Sequence, residues 1–336
     1  MPRSGAGSRA VIALTGIGTT VALLAGCSAE PPVPEAEAPV VAAVVSEPQE
    51  REILQSVATV LEGAGQGGAP LGSRLTGPAL TMREAELKVA DAADDPRGLT
   101  DLSMQMQQVI LPSDQGWPRS SFAVTEQPDA RTTPVLMAFD QAGARDQYKL
   151  WAYVQLASLV TMPRFAEPGL GSATVLADDT SLLVPPGVVA GQYASVLTVG
   201  DRSKHAGTFT ADDALRQRLR EDGREQVAQI EEQDGEGRFS TAFEPVEGAV
   251  KAVRTVDGGA MVLAALRGQE TLRAEEGWQL APVSSSAAAL WAGGAGSDVL
   301  KTSYHYTVAW YVPPAGSAAT VSLLGFHRVP YAVSGG

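Results

Sequence analysis

Apolar positions fall into two different rhythms along this chain, and the rhythm changes twice. From Arg51 to Ala64, residues Ile53, Leu54, Val57, Val60 and Leu61 recur on one helical face, and a glycine run from Gly63 to Gly68 ends the pattern. A second helix is predicted over Pro78 to Ala93, with Leu80, Leu87 and Ala90 inward. After Asp94-Asp95-Pro96 the spacing shortens to strand-like runs at Ser103 to Leu111, Ser120 to Thr125, Pro134 to Asp140 and Gln147 to Val160. In the last of these, Tyr148, Leu150, Ala152, Val154 and Leu156 alternate and are expected on one face of a strand. Helices followed by consecutive strands predict an antiparallel α+β arrangement, because βαβ units would interleave the two.

The same order then repeats. Thr161 to Val184 is rich in proline, glycine and aspartate and reads as a connection. Pro185-Pro186 opens a helix running to about Leu197, proline being tolerated in a first turn. Thr210-Ala211-Asp212-Asp213 begins another, with Leu215, Leu219, Val227 and Ile230 on its buried side and Gly223 as a point of division. Strands are expected at Gly237 to Phe243, Val250 to Thr255, Ala260 to Leu266, Thr302 to Val312 and Thr320 to Ala332. The chain of 336 residues is thus expected to hold two α+β domains, 51–162 and 185–336, joined by 163–184. Each would pack N-terminal helices on a curved antiparallel sheet.

The N-terminus carries an address. Arg3 and Arg9 precede an apolar run from Val11 to Leu24, which is shorter than the roughly 20 residues of a membrane span. Leu24-Ala25-Gly26-Cys27 follows and resembles the lipobox of bacterial lipoproteins. The resemblance implies a signal peptide over 1–26, cleavage between Gly26 and Cys27, and a diacylglyceryl group on the Cys27 sulfur. Cys27 is the only cysteine, so no intramolecular disulfide is possible. Two acyl chains hold a protein to a bilayer where one exchanges. Residues 27–50 contain five prolines, several glutamates and no basic residue, and are expected to form an extended, disordered tether.

Charge narrows the partners. Net charge is −13, which repels phosphate backbones and anionic lipid headgroups alike. Nucleic acid is therefore not an expected partner, and membrane attachment rests on the anchor. Three histidines do not make a histidine-rich metal cage, and the acids from Glu231 to Glu236 lack the spacing of a calcium loop. Gly63-x-Gly65-x-x-Gly68 has the letters of a dinucleotide fingerprint but follows a helix instead of a strand, so it reads as a loop. No cofactor, metal or catalytic constellation is expected.

One cluster invites a ligand. Tyr304-His305-Tyr306 leads to Trp310-Tyr311, and His305, Thr307 and Tyr311 share one face of a strand by alternation. The element order resembles the cone-shaped cystatin-like or nuclear-transport-factor-like fold, in which one face of that strand would line a cavity. Stretches such as Leu75-Thr76-Gly77-Pro78-Ala79-Leu80-Thr81-Met82-Arg83, Val124-Thr125-Glu126-Gln127-Pro128 and Thr161-Met162-Pro163-Arg164-Phe165 resemble a family of actinobacterial lipoproteins carrying a domain of unknown function. The expected function is a lipid-anchored, extracytoplasmic, non-catalytic protein acting through an envelope protein partner. The alternative is small-molecule binding in a cavity of the second domain.

Overall fold

The computed structural model describes residues 42–64, 68–127, 129, 133–291 and 297–335. The signal peptide, Gly26, Cys27, the tether up to residue 41 and the centre of the 63–68 glycine run lie outside them. Val40–Gly336 is one compact unit.

The first helix begins four residues before the pattern predicts. Helix α1 (Glu47–Glu62) is started by Ser46, whose hydroxyl accepts from the Gln49 amide while the Gln49 side chain accepts from the Ser46 amide, a reciprocal cap that stabilises by about 1 kcal/mol. Pro48 fits the first turn, where its missing N–H has no partner to lose. The tether expected over 27–50 therefore ends earlier: Val45 and Glu50 are buried. Helix α2 (Gly77–Ala93) and strands β1 (Met106–Ile110), β2 (Arg119–Thr125), β3 (Val135–Gln141) and β4 (Lys149–Leu156) follow as read.

In β4 the simple alternation fails. Phe139 pairs with Leu150 while Ala138 pairs with Ala152, which leaves Trp151 as an unpaired bulge. The bulge reverses the faces. Tyr148 and Leu150 join the cluster beneath α1 and α2, whereas Ala152, Val154 and Leu156 point into the opposite cluster.

The second half contributes α3 (Pro186–Val199), α4 (Ala214–Glu231), β5 (Gly237–Arg254), β6 (Ala260–Ala274), α5 (Ser285–Leu290), β7 (Val299–Val312) and β8 (Ser322–Gly335). Asp213 caps α4 by accepting from the Arg216 amide. Gly223 does not divide that helix. It makes room for the Phe239 ring, whose Cδ1 would lie 2.5 Å from a Cβ placed there. The two strands expected at 237–243 and 250–255 are one, interrupted after Pro245 by a register shift that contains Gly248 at φ 70°. Helix α5 has no counterpart among the expected elements.

All eight strands form one antiparallel sheet in the order β1-β2-β3-β4-β8-β7-β6-β5. Within the sheet the two halves join where β4 pairs with β8, through Gln155–Phe326 and Leu156–Gly325. Helices α1 and α2 cover one face of the first four strands, and α3 and α4 cover one face of the last four. The remaining faces meet each other, with Phe122, Leu136 and Val154 against Met261, Leu263 and Ala309. Residues 163–184 lie across both halves: Ser172 bridges to Pro112, Thr174 to Val253 and Leu182 to Pro314.

Candidate functional site

His305, Thr307 and Tyr311 do share a face of β7, and it is the face turned toward the first half. The Thr307 hydroxyl donates to the Tyr153 carbonyl at 2.5 Å. The Tyr311 hydroxyl donates to Asp257 Oδ2 at 2.7 Å. The His305 ring stacks on Tyr331 with centroids 4.1 Å apart, and burial followed by the nearby Arg267 charge lowers its pKa. These side chains hold the two halves and their turns together and are spent on internal contacts.

The opposite face of the same strand lines a pocket. Thr302 and Tyr304 of β7, Glu270 of β6 and Arg328 of β8 face α4, which brings Arg218, Asp222, Gln226 and Gln229 over them. Ser284 and Ser286 stand at the rim, and Val283, Leu300 and Pro330 supply apolar wall. Its volume is about 340 Å³.

At its base four charges form a linear chain of alternating sign. Arg328 donates to Glu270 Oε1 at 2.7 Å and to Asp222 Oδ2 at 2.5 Å, and Arg218 lies 2.9 Å from Asp222 Oδ1. The Tyr306 hydroxyl lies 3.4 Å from the same Glu270 oxygen, and the Arg328 guanidinium sits 4.9 Å above the Tyr304 ring. Burial pushes the Glu270 carboxyl above its ordinary pKa even though Arg328 pulls it down. Burial also opposes the charge on Arg328, but the oxygens of Tyr306, Glu270, Tyr304 and Asp222 outweigh it and keep the guanidinium protonated. The buried members Glu270 and Asp222 are both hydrogen-bonded to Arg328 and hold their geometry, which is what a recognition surface requires.

This group escaped the sequence reading, yet each member left a trace. In β6 the alternate row Ala260, Val262, Ala264, Leu266, Gly268, Glu270, Leu272, Ala274 carries a single charge. On α4, Asp222 stands three residues after Leu219 on the buried side. A charge in an apolar row is the signal.

A second buried polar cluster joins the halves. His327 Nε2 lies 2.9 Å from Glu86 Oε1 and 3.1 Å from Thr100 Oγ1, Thr100 donates to Glu86 Oε1 at 2.6 Å, and Arg83 donates to Glu86 Oε2 at 2.8 Å. Burial raises the Glu86 carboxyl, but hydrogen bonds from His327, Thr100 and Arg83 together with the His327 charge carry it below its ordinary value. In a nucleophile–histidine–acid relay the two imidazole nitrogens serve different partners. Here one nitrogen meets both, so the arrangement clamps α2 to β8 and does not relay a proton.

An open groove of about 1060 Å³ runs between α3 and α4, with Leu197, Leu219, Val227 and Phe239 in its floor. Arg202 and Arg224 along it are offset by Asp201 and Glu231. Among the described residues no group of three or more His, Cys, Asp or Glu is placed to hold a metal, and no helix is long and apolar enough to cross a membrane.

Residues 41–330 match the family model described as a domain of unknown function, DUF8094. No curated protein and no solved structure matches the chain.

Proposed function

Because the chain belongs to the DUF8094 family, whose description carries no activity to transfer, we propose from the pocket's geometry that it is a lipid-anchored, extracytoplasmic binding protein. Its ligand is a small molecule held between α4 and the β6–β8 strands. One observation carries the reading: a pocket of about 340 Å³ over a base in which Arg218, Asp222, Arg328 and Glu270 pair in alternating sign. Ligand sites are concave and place a few fixed polar groups among apolar walls. Thr302 and Tyr304 of β7 line this pocket, whereas His305, Thr307 and Tyr311, the residues expected to line a cavity, are not among its lining.

The order Leu24-Ala25-Gly26-Cys27 supports the anchor, and the likeness to actinobacterial lipoproteins supports the envelope address. The repeated helix–helix–four-strand order supports a duplicated α+β module in which each expected domain is one copy. A second reading, contact with an envelope protein, is favoured by the open groove between α3 and α4, whose apolar floor is flanked by charges of both signs.

The test has two arms. Ligand-observed NMR of the full chain against a fragment library should give hits that Thr302→Trp, which fills the pocket, abolishes; hits that persist in the filled variant refute the site. In cells, Cys27→Ala should release the protein into the medium or leave it unprocessed, and unchanged membrane retention refutes the anchor.

A further inference from the structure

Resting on that reading, we infer that the pocket between α4 and β6–β8 takes an uncharged, polyhydroxyl ligand of mono- to disaccharide size. The argument begins with charge. Glu225, the fifth charge of the lining, is exposed on α4 and screened by water. At the base of the pocket Arg218, Asp222, Arg328 and Glu270 alternate in sign and satisfy one another within 2.5 to 2.9 Å, so the base has no unbalanced charge to offer. A charged ligand would lose its hydration there without gaining a free counter-charge, and an unmatched buried ion is strongly unfavourable. An ammonium seeking the Tyr304 ring would find it already occupied by the Arg328 guanidinium, 4.9 Å away.

Hydrogen-bonding capacity remains, and it is of both kinds. Glu270 receives Arg328 and Tyr306 through Oε1, and its Oε2 takes no bond from the described residues. That oxygen accepts from a hydroxyl group. The amides of Gln226 and Gln229 and the hydroxyl of Thr302 both donate and accept. A sugar hydroxyl does the same, so each can be matched without leaving an orphaned partner. Leu300, Val283 and Pro330 form an apolar wall suited to the C–H face of a ring that is polar around its edge. The volume of about 340 Å³ stands near the lower end of ligand pockets, which limits the ligand to one or two rings.

The experiment compares matched probes on the full chain by saturation-transfer NMR and calorimetry. The neutral set is glucose, galactose, N-acetylglucosamine, maltose and trehalose; the anionic set is gluconate and glucose 6-phosphate; the cationic set is glucosamine and putrescine. At least one neutral sugar is expected to bind, and its charged counterparts to bind at least tenfold more weakly. Glu270→Gln should weaken that binding by about ten- to a hundredfold, the loss expected for a hydrogen bond to a charged group. Gln229→Ala, at the mouth, should weaken it with the melting temperature unchanged, which covers the case in which Glu270→Gln does not fold. A charged probe binding more tightly than its neutral partner, in a manner lost in Thr302→Trp, overturns the ligand class and leaves the binding site standing. Neutral binding unaffected by either pocket variant overturns the location. Silence from all three sets overturns the ligand class, and persistence of fragment hits in Thr302→Trp is the separate result that overturns the site.

Discussion

Glu50 offers a sharp test of how the first half is packed. It lies on the inner face of α1 beside Leu54 and Val57 and is completely buried. Ser121 donates to its Oε1 at 2.8 Å, while Oε2 is buried with no hydrogen-bond partner among the described residues. Burial pushes the carboxyl pKa from 4.5 up to about 7, against a smaller opposing effect of the Ser121 bond. The folded state therefore binds this proton more tightly than the unfolded chain does. The protein keeps its full stability below the unfolded value and loses it as pH rises toward and through the folded value. A displacement of that size corresponds to about 3 kcal/mol at pH 8 and to less than about 1 kcal/mol at pH 5. Glu50→Gln keeps the shape and the acceptor for Ser121 and removes the ionisation. Urea denaturation of the two proteins at both pH values isolates the effect, because every other titrating group is common to them. The variant should be the more stable at pH 8 by about 3 kcal/mol, with the gap nearly closed at pH 5. A gap that is independent of pH, or a variant less stable at pH 8, would show that Glu50 is solvated or paired and that α1 does not seal this face.

Two further substitutions probe the join between the halves. At Gly325 a Cβ would lie 2.2 Å from the Gln155 carbonyl oxygen and 2.8 Å from Leu156 Cα, both backbone atoms that cannot step aside. Gly325→Ala should cost about 3 kcal/mol and speed amide exchange at Ala157, whose N–H reaches Leu324 at 2.8 Å; unchanged exchange would deny the close approach of β4 to β8. Glu86→Ala removes the carboxylate that serves His327, Thr100 and Arg83 and should cost about 3–5 kcal/mol at pH 7. Since the folded Glu86 pKa is lowered, the native protein itself loses this contribution as pH falls through the folded value, so the gap between the two denaturation curves should narrow below pH 4; a constant gap would refute the ionic clamp.

What the sequence determined by itself was local. Periods of 3.6 and 2 placed four of the five described helices and most strand ends within a few residues, because burial of one face imposes that spacing on any chain. Strand β6, however, runs eight residues past the expected Leu266 to Ala274 and so carries Glu270 beyond the expected strand. The reading of two successive helix-then-strand sets also follows from order alone. Departures came where a distant partner outweighs the local pattern. The Trp151 bulge reverses β4, since Ala138 and Phe139 of the neighbouring strand set which residues pair. Ser46 and its cap extend α1 into a proline-rich stretch whose composition suggested an extended chain.

The pocket was decided only by tertiary structure. Arg328 meets Glu270 across 58 residues and Asp222 across 106, separations that no periodicity spans. Alternation told that one face of β7 carries His305, Thr307 and Tyr311, but not which face would be closed by the other half of the sheet. That depended on β8 meeting β4 along its other edge at Gly325 and Phe326 while still paired with β7, where the absence of a side chain at Gly325 lets the two backbones approach closely.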